Sequence, residues 1–383
     1  MILVINAGSS SIKFAVFDAQ LVEQIDGMAE GIGSSPRLKI AGQAQSAAFA
    51  DHDGALRAIL DALAEQGWPL ERFDAAAHRV VHGGVEISRP VAVTPEVIEV
   101  IEACAELAPL HNPNNLAGIQ TLQRLAPDLP QFASFDTAFH GTNPEVAQRY
   151  AIPEVPETRG IRRYGFHGQS YAWIVRHLPQ MTDAALPARL LAFHLGNGAS
   201  ICAIRDGVSV ATSMGYSPTE GLTMGTRSGT IDPKAVIDLV DRFGETKRAF
   251  GFLNDESGLK GLSGGISDMR ALLASDAPEA AFAVEHFCYW ARRHAGSLIA
   301  AMEGCDGVVF TGGIGENAAQ VRARILSGLT WLGLALDHEA NARNAPRLHA
   351  TGSAVRVWIV KAEEERMIAA DALSLLGAAA KKM

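Results

Sequence analysis

Arginine side chains set among glycines are the groups in this 383-residue chain best suited to holding an anion. Arg79 lies in the run HRVVHGG (78–84), and Arg227 lies in MGTRSG (224–229). A guanidinium group binds planar carboxylates and phosphates through two parallel hydrogen bonds. An arginine between glycines has little reason to be there for packing, although a solvent-facing loop arginine is the plain alternative for either one alone.

Three glycine-rich loops are suited to binding phosphate. In NAGSSSIK (6–13), a turn between two apolar strands exposes successive backbone N–H groups, and Lys13 adds a point charge. HLGNG (194–198) repeats that plan, and GGIGEN (312–317) follows a strand and opens a helix. None of the three is a P-loop, because the chain contains no Gly-Lys dipeptide. An ordinary polar hairpin is the alternative for each, but together the loops favour a bound nucleotide.

Other polar residues admit more than one interpretation. Asp136 ends a strand in FDTAFH (135–140), a usual place for an active-site acid and also for a helix cap. His111 and His167 lie in constrained loops, where each could equally satisfy a core hydrogen bond. His78 and His82 could share a strand face, but no third ligand is near in the sequence, which disfavours a metal site.

The apolar pattern predicts the elements that position these residues. Strands are predicted at 1–6, 12–18, 75–81, 131–135, 189–195, 200–205, 307–311 and 355–360, and helices at 53–66, 95–107, 114–126, 232–243, 278–302, from about 317, and at 363–376. The segments 3–18 and 191–206 share a plan of strand, Asn/Gly/Ser turn and strand. Repetition half a chain apart predicts a duplicated αβ domain with a cleft between the copies, and two unrelated hairpins are the alternative.

Length and composition limit the partners. A chain of 383 residues favours two domains, and a net charge of −9 argues against nucleic acid or an anionic membrane as the main partner. There is no run of 18 apolar residues, and the opening MILVIN lacks the flank and length of a signal peptide. The 4 cysteines match no disulfide or zinc spacing, so we expect a cytoplasmic protein.

The motifs together resemble the acetate kinase family, within the larger superfamily of sugar kinases, heat-shock ATPases and actin. The resemblance is carried by NAGSSSIKF (6–14), HRVVHGG (78–84), LAPLHNP (107–113), FDTAFH (135–140), RRYGFHG (162–168), HLGNGAS (194–200), TSMG (212–215), GLTMGTRSG (221–229), SGLKGLSG (257–264) and FTGGIGEN (310–317). The chain departs from the family pattern at Tyr171, where the family usually has histidine, at Thr230, where aspartate is common, and at Ala362-Glu363, where the family usually has Thr-Asn.

The resemblance implies a duplicated two-domain α/β kinase fold with the active site in the interdomain cleft. Residues 1–137 plus 364–383 would form the acid- and metal-binding domain, and residues 138–363 the nucleotide-binding and dimerisation domain. The implied activity is reversible, Mg²⁺-dependent transfer of a phosphoryl group from ATP to acetate, giving acetyl phosphate and ADP, in a homodimer. Mn²⁺ is expected to substitute for Mg²⁺.

The resemblance also assigns roles to residues. The catalytic residues would be Arg79, Asp136, His167 and Arg227. The acid would bind Arg79, Val81, Leu110, Phe166 and Pro218. ATP would bind Lys13, His194, Leu195, Gly196, Asn197, Gly198, Asp268, Met269, Arg270, Gly313, Ile314, Gly315, Glu316 and Asn317. Asn6, through water, and Glu364 would hold the metal.

Some alternatives stay open at this point. Propionate or butyrate kinase shares the chemistry, and a non-enzymatic nucleotide switch shares the fold. Any of Glu363 to Glu365 could meet the metal. Asp136 is often given an acid/base role in the family, but a carboxylic acid substrate is already ionised at pH 7. We therefore expect Asp136 to orient Arg79 or metal-bound water.

Overall fold

A computed structural model describes residues 1–109 and 111–380 and separates the chain into two compact units. The first unit is Met1–Gly141 together with the C-terminal segment that begins at Glu363, and the second is Thr142–Ala362. The strands are β1 Ile2–Ala7, β2 Ser11–Phe17, β3 Glu23–Glu30, β4 Arg37–Ile40, β5 Gln43–Ser46, β6 Ala75–Val80, β7 Val91–Ala92, β8 Gln131–Phe135, β9 Arg189–Leu195, β10 Ala199–Arg205, β11 Val208–Thr212, β12 Gly307–Thr311 and β13 Arg356–Ile359.

The helices alternate with these strands along the chain. They are α1 His52–Glu65, α2 Pro95–Ala103, α3 Asn112–Leu125, α4 Glu145–Gln148, α5 Gly168–Thr182, α6 Pro233–Phe243, α7 Thr246–Gly251, α8 Gly258–Leu262, α9 Met269–Leu273, α10 Pro278–Ala301, α11 Gly312–Asn317, α12 Ala319–Ser327, α13 His338–Ala342 and α14 Glu364–Ala380. Within the described residues, no helix has both the length and the apolar character needed to cross a bilayer.

The first unit is built on a mixed sheet in the order β5-β4-β3-β2-β1-β6-β8-β7. Its central strand β1 is apolar from Ile2 to Ile5 because both of its faces are covered there. Leu3 and Ile5 pack in the cluster formed with α1 and Leu122, whereas Ile2 and Val4 pack against α14 through Ile368. Side chains alternate along a strand, so a continuous apolar run is what a strand buried on two faces requires.

The second unit is built on a sheet in the order β11-β10-β9-β12-β13. Its central strand β9 pairs antiparallel with β10 and parallel with β12. The rings of Phe193 and Phe310 stack across these two parallel strands with centroids 4.9 Å apart. The long helix α10 packs on β10, β11 and β9, and buries Val284, Phe287 and Leu298.

The two sheets repeat one topology. The order β3-β2-β1-β6-β8 of the first unit matches β11-β10-β9-β12-β13 of the second. The senses also agree, with two antiparallel pairings followed by two parallel ones in each sheet. The prediction of a duplicated αβ plan is therefore confirmed at the level of strand order and direction.

The structure corrects several predicted elements. The helix expected from about residue 317 begins five residues earlier, since α11 covers Gly312–Asn317 and α12 follows at Ala319. Strands β3, β4 and β5 extend the first sheet through a segment for which no element was predicted. Their sequence is polar and rich in exposed residues because they lie at the sheet edge, so the apolar pattern did not reveal them.

Candidate functional site

The carboxyl ends of three parallel strands bring Asn6, Arg79 and Asp136 together in the first unit. The register pairs Ile5 with His78 and Val80 with Phe135, so Asn6 near the end of β1, Arg79 near the end of β6 and Asp136 directly after β8 lie at the same edge of the sheet. Arg79 donates from Nε and Nη2 to the two carboxylate oxygens of Asp136, at 2.9 and 2.6 Å, and from Nη1 to Asn6 Oδ1 at 3.1 Å. We call Asn6, Arg79, Asp136 and Glu365 the first-unit cluster.

Arg79 and Asp136 of the first-unit cluster form an ion pair, and the carboxylate of Asp136 is buried. Asp136 is 3% exposed, and burial raises the pKa of its carboxyl while Arg79 lowers it. Burial lowers the pKa of the Arg79 guanidinium, but the attraction of Asp136 outweighs it, and the pKa rises overall. The bidentate contact favours the ionised form of both groups. Asp136 therefore fixes the plane of the guanidinium.

Two asparagines of α3 hold the backbone beside this cluster. Asn115 donates from Nδ2 to the carbonyl of Ala7 at 2.6 Å and accepts at Oδ1 from the amide of Val81 at 3.1 Å. Asn112 bonds both the N–H and the C=O of His82. The side chain of Asn115 thus joins the end of β1 to the chain after β6. Of the two, only Asn112 lies in a motif that the sequence singled out, LAPLHNP (107–113), and neither asparagine was assigned a role. The sequence did not reveal that both side chains are buried.

The other residues predicted for the first unit lie close to the cluster or near it in the chain. Lys13 is exposed and is the strand partner of Asn6. Asn6 Nδ2 donates to Glu365 Oε1 at 3.1 Å, while Glu364 lies beside Glu365 at the start of α14. Val81 is 5% exposed. Leu110, predicted to line the acid pocket, lies outside the described residues.

The glycine loop of the first unit is tied down at Gly8. The Gly8 amide donates to the carbonyl of Ser11 at 2.7 Å, and the Gly8 carbonyl lies 2.7 Å from His52 Nε2 of α1. The tight turn leaves Ser9 and Ser10 exposed. The loop is therefore held in position while its serine groups face outward.

In the second unit, His167 and His194 meet beside the turn at Gly196 to Gly198. Their rings stack with centroids 4.1 Å apart and planes 18° apart. Gly196 N–H donates to Gly198 C=O at 3.0 Å and closes the turn between β9 and β10. His167 itself has left-handed backbone angles, φ 61° and ψ 25°, which is uncommon outside glycine. We call His167, His194, Ser200 and Arg227 the second-unit cluster.

Gly198 marks where the polar groups of the second-unit cluster converge. A Cβ atom at Gly198 would lie 3.3 Å from His167 Nε2 and 3.5 Å from Arg227 Nη1. Both side chains are thus directed at the backbone of the same turn. A glycine there keeps the space in front of these two groups clear of any side chain.

Arg227 is held without a carboxylate. Its Nη1 lies 3.4 Å from the carbonyl of Pro218 and 4.0 Å from Met224 Sδ, and in the described part of the chain it forms no ion pair. Burial lowers the pKa of its guanidinium, and the more distant Asp255 raises it. A partly buried cation without an adjacent anion is costly unless a ligand supplies the negative charge.

The third glycine loop lies next to the second. Thr311 at the end of β12 pairs with His194 on β9, and a Cβ at Gly312 would lie 2.8 Å from the carbonyl of Leu195. Gly312 has φ +77°, so only glycine fits there without strain. Arg322, which is fully buried, donates to the carbonyls of Gly315 and Glu316 at 2.8 and 2.9 Å. The sequence did not single out Arg322.

The remaining predicted residues divide between buried and exposed positions. Phe166 is 2% exposed and precedes His167, while Pro218 touches Arg227 through its carbonyl. Met269 is buried in α9, which packs on α10. Asp268 caps α9 and accepts hydrogen bonds from Arg270, which lower the pKa of its carboxyl to about 2. Among the described residues, no hydrogen bond or ion pair joins the exposed Asp268–Arg270 pair to the glycine turns.

Comparison with known proteins gives consistent matches over nearly the whole chain. The sequence model of the acetokinase family matches residues 1–370. The acetate kinase of Nitrobacter hamburgensis is 45% identical, over 98% of this chain and 96% of that protein. The crystal structure of Porphyromonas gingivalis acetate kinase matches with a TM-score of 0.91 at 35% identity, covering 98% of this chain and 99% of that one. A propionate kinase from Francisella tularensis matches with a TM-score of 0.91 at 37% identity, covering 97% and 98%.

Proposed function

The chain belongs to the acetokinase family, and on that premise we propose that it is an acetate kinase. The reaction is the reversible transfer of a phosphoryl group from ATP to acetate, which gives ADP and acetyl phosphate. Both reactants are anions, so the enzyme must supply positive charge and alignment rather than covalent help. The observation that carries the proposal is the convergence of His167 and Arg227 on the turn at Gly198, where no carboxylate of the described residues pairs with the guanidinium.

His167 and Arg227 are proposed to stabilise the migrating phosphoryl group. Charge builds up on its equatorial oxygens during transfer, and donors fixed in advance stabilise that charge without reorganisation. Arg227 is suited to this because its charge is already partly desolvated. The turns at 194–198 and 312–317 end the neighbouring parallel strands β9 and β12, and we propose that they bind ATP.

Arg79 is proposed to bind the carboxylate of the acid. A guanidinium has five N–H donors, and the contacts to Asp136 and Asn6 use three of them, which leaves two. Its side chain is 23% exposed, so those two donors remain within reach of a small ligand. The buried Val81 and Phe166 are proposed to contact the methyl group of acetate.

Asp136 is proposed to act by positioning Arg79. Both of its oxygens accept from Arg79, and the acid substrate has no proton to give up at neutral pH. An orienting role therefore accounts for the contacts better than proton transfer does.

Oxygen donors of the first-unit cluster fit a hard divalent cation such as Mg²⁺, with Mn²⁺ as a substitute. Asn6, Glu364 and Glu365 supply amide and carboxylate oxygens, and Asn6 Oδ1 already accepts from Arg79, which favours its contact with the metal through water. No three His, Cys, Asp or Glu side chains of the described residues form a metal cluster, which suits an ion bound largely by water and phosphate. When bound, the metal would neutralise phosphate charge.

Substrate preference tests the proposed function. Acyl phosphate formation, trapped as the hydroxamate, is measured with ATP, Mg²⁺ and either acetate, propionate or butyrate. We expect acetate to give the highest kcat/KM and propionate to follow within about 10- to 200-fold, because one methylene group is worth only ~1–3 kcal/mol in an apolar pocket.

Two other results have clear meanings. Higher kcat/KM with propionate or butyrate would refute acetate as the preferred substrate and keep the reaction class. ATP hydrolysis that does not respond to any of the acids, with no hydroxamate formed, would overturn the kinase and favour a nucleotide switch.

We also propose that the protein is a homodimer, formed through the second unit. Phe282 and Tyr289 are 57% and 53% exposed, and they lie two turns apart on one face of α10. Helix α6 has an apolar side but no buried residue, and its Ile237 is 56% exposed. Exposed apolar surface of this kind is typical of subunit interfaces.

Sedimentation equilibrium tests the homodimer. The double variant Phe282→Glu/Tyr289→Glu is expected to be a monomer, because two charges would have to be buried in the interface. The matched control Val146→Glu, at a side chain that is 88% exposed on α4, should keep the wild-type mass. A wild-type monomer at micromolar concentration would contradict the proposal.

We propose a cytoplasmic location as well. The 4 cysteines are free and buried, as expected in a reducing compartment, and ATP is available there.

A further inference from the structure

A buried chain of hydroxyl groups reaches the ring of His167 from behind. His167 Nδ1 lies 2.8 Å from Ser200 Oγ, and Ser200 Oγ lies 2.5 Å from the Tyr171 hydroxyl. Ser200 and Tyr171 are both 0% exposed. One ring nitrogen of His167 is therefore bound to groups that no substrate reaches, while the other, Nε2, is directed at Gly198.

The secondary structure fixes this chain of contacts. Tyr171 lies four residues after His167, and its amide donates to the His167 carbonyl at 3.2 Å, so His167 is the N-cap of α5 and Tyr171 lies in the first turn. Ser200 is the strand partner of His194, whose ring stacks on that of His167. The imidazole is thus held in position by a stacking partner and a hydrogen bond at Nδ1.

The direction of the hydrogen bonds follows from the chemistry of the two hydroxyls. A phenol is more acidic than an aliphatic alcohol, so it is the stronger donor, and the serine oxygen is the better acceptor. With Tyr171 donating to Ser200, the single Ser200 proton points to His167 Nδ1. The neighbouring Arg227 cation disfavours a second positive charge on the imidazole.

We propose that Tyr171 acts through Ser200 as a positioning residue that selects the Nε2–H tautomer of His167. The neutral ring then presents an N–H donor beside Arg227 at the Gly198 turn. The opposite tautomer would present a lone pair, which would repel an anionic group. The catalytic consequence rests on the proposed phosphoryl transfer, whereas the tautomer itself does not.

The tautomer can be observed without any assay of activity. In protein labelled with ¹⁵N-histidine, the signals of His167 are identified by their loss in His167→Asn. We expect Nε2 of His167 to have a protonated, pyrrole-type shift and Nδ1 an unprotonated, pyridine-type shift. In Tyr171→Phe, which removes only the hydroxyl, the two shifts should move towards each other as the tautomers mix, and kcat should fall about 10-fold with little change in KM.

A matched control separates tautomer selection from stability. Tyr164→Phe, in the same unit, removes a hydroxyl that donates to the carbonyl of Gly160 at 2.8 Å. Tyr164→Phe should lower the melting temperature about as much as Tyr171→Phe does, but it should leave the His167 signals unchanged. Ser200→Ala should mix the tautomers as Tyr171→Phe does.

The proposal is overturned if wild-type His167 carries its proton on Nδ1, or if neither Tyr171→Phe nor Ser200→Ala changes the His167 signals from those of the wild type. If the ¹⁵N shifts are as expected but the protein forms no acyl phosphate, the tautomer assignment stands and the proposed function is rejected.

Discussion

Arg227→Ala is expected to lower kcat by about 10²–10³-fold while the affinity for ATP is largely kept. Within the part of the chain that the structure describes, the guanidinium contacts a carbonyl and a thioether but no carboxylate, so its charge is proposed to be satisfied by the migrating phosphoryl group. An interaction made mainly in the transition state changes kcat far more than it changes binding of the ground state. Hydroxamate formation measures the rate, and titration calorimetry measures nucleotide affinity.

Stability distinguishes a functional arginine from a structural one. Burial lowers the pKa of the Arg227 guanidinium, so the charged side chain is less favourable in the folded state than in the unfolded state. Arg227→Ala should therefore keep the wild-type melting temperature or raise it. Arg242→Ala, at an exposed arginine of α6 in the same unit, is the control and should change neither rate nor stability. Wild-type turnover in Arg227→Ala would remove this residue from the mechanism.

Arg79→Ala, unlike Arg227→Ala, is expected to lower both the turnover rate and the free energy of unfolding. It would leave the carboxylate of Asp136, 3% exposed, without its bidentate partner. Breaking a buried pair on one side costs about 3–5 kcal/mol in the free energy of unfolding. The matched control Arg57→Ala breaks an exposed ion pair to Asp53 in the same unit and should cost no more than ~1 kcal/mol. Urea unfolding measures both.

The stability loss should depend on pH. Without Arg79, burial and the nearby Glu364 carboxylate both act on Asp136 and raise the pKa of its carboxyl further above the ordinary value of 3.8. A group whose pKa is higher in the folded state than in the unfolded state stabilises the fold at low pH and loses that contribution as pH rises. Arg79→Ala should thus be closer to wild-type stability at mildly acidic pH than at mildly alkaline pH.

A double variant separates the loss of stability in Arg79→Ala from its loss of turnover. Arg79→Gln with Asp136→Asn removes both charges and should regain most of the lost stability, because no unpaired charge stays buried. Acyl phosphate formation should stay low, since Gln lacks the guanidinium fork that binds a carboxylate. A double variant that regains turnover together with stability would show that Arg79 has a structural role only.

The class of fold and most of the residues of interest could be predicted from the amino-acid sequence. Largely apolar runs predicted the buried strands β1, β6, β8, β9 and β12, because a strand covered on both faces buries most of its side chains. Glycine-rich turns after these strands are also local features. Family resemblance then attached roles to residues such as Asp136 and His167, which composition and spacing left ambiguous.

The partner of each polar group depends on how distant segments pack in three dimensions. Arg79 and Arg227 look alike in the sequence, each set among glycines, yet over residues 1–109 and 111–380 Arg79 has a bidentate carboxylate and Arg227 has none. The difference arises because strand register brings Asp136 to Arg79 from 57 residues away, and no local pattern encodes that distance. The same holds for Tyr171 and Ser200 behind His167, where burial turns two ordinary hydroxyls into a fixed hydrogen-bond chain.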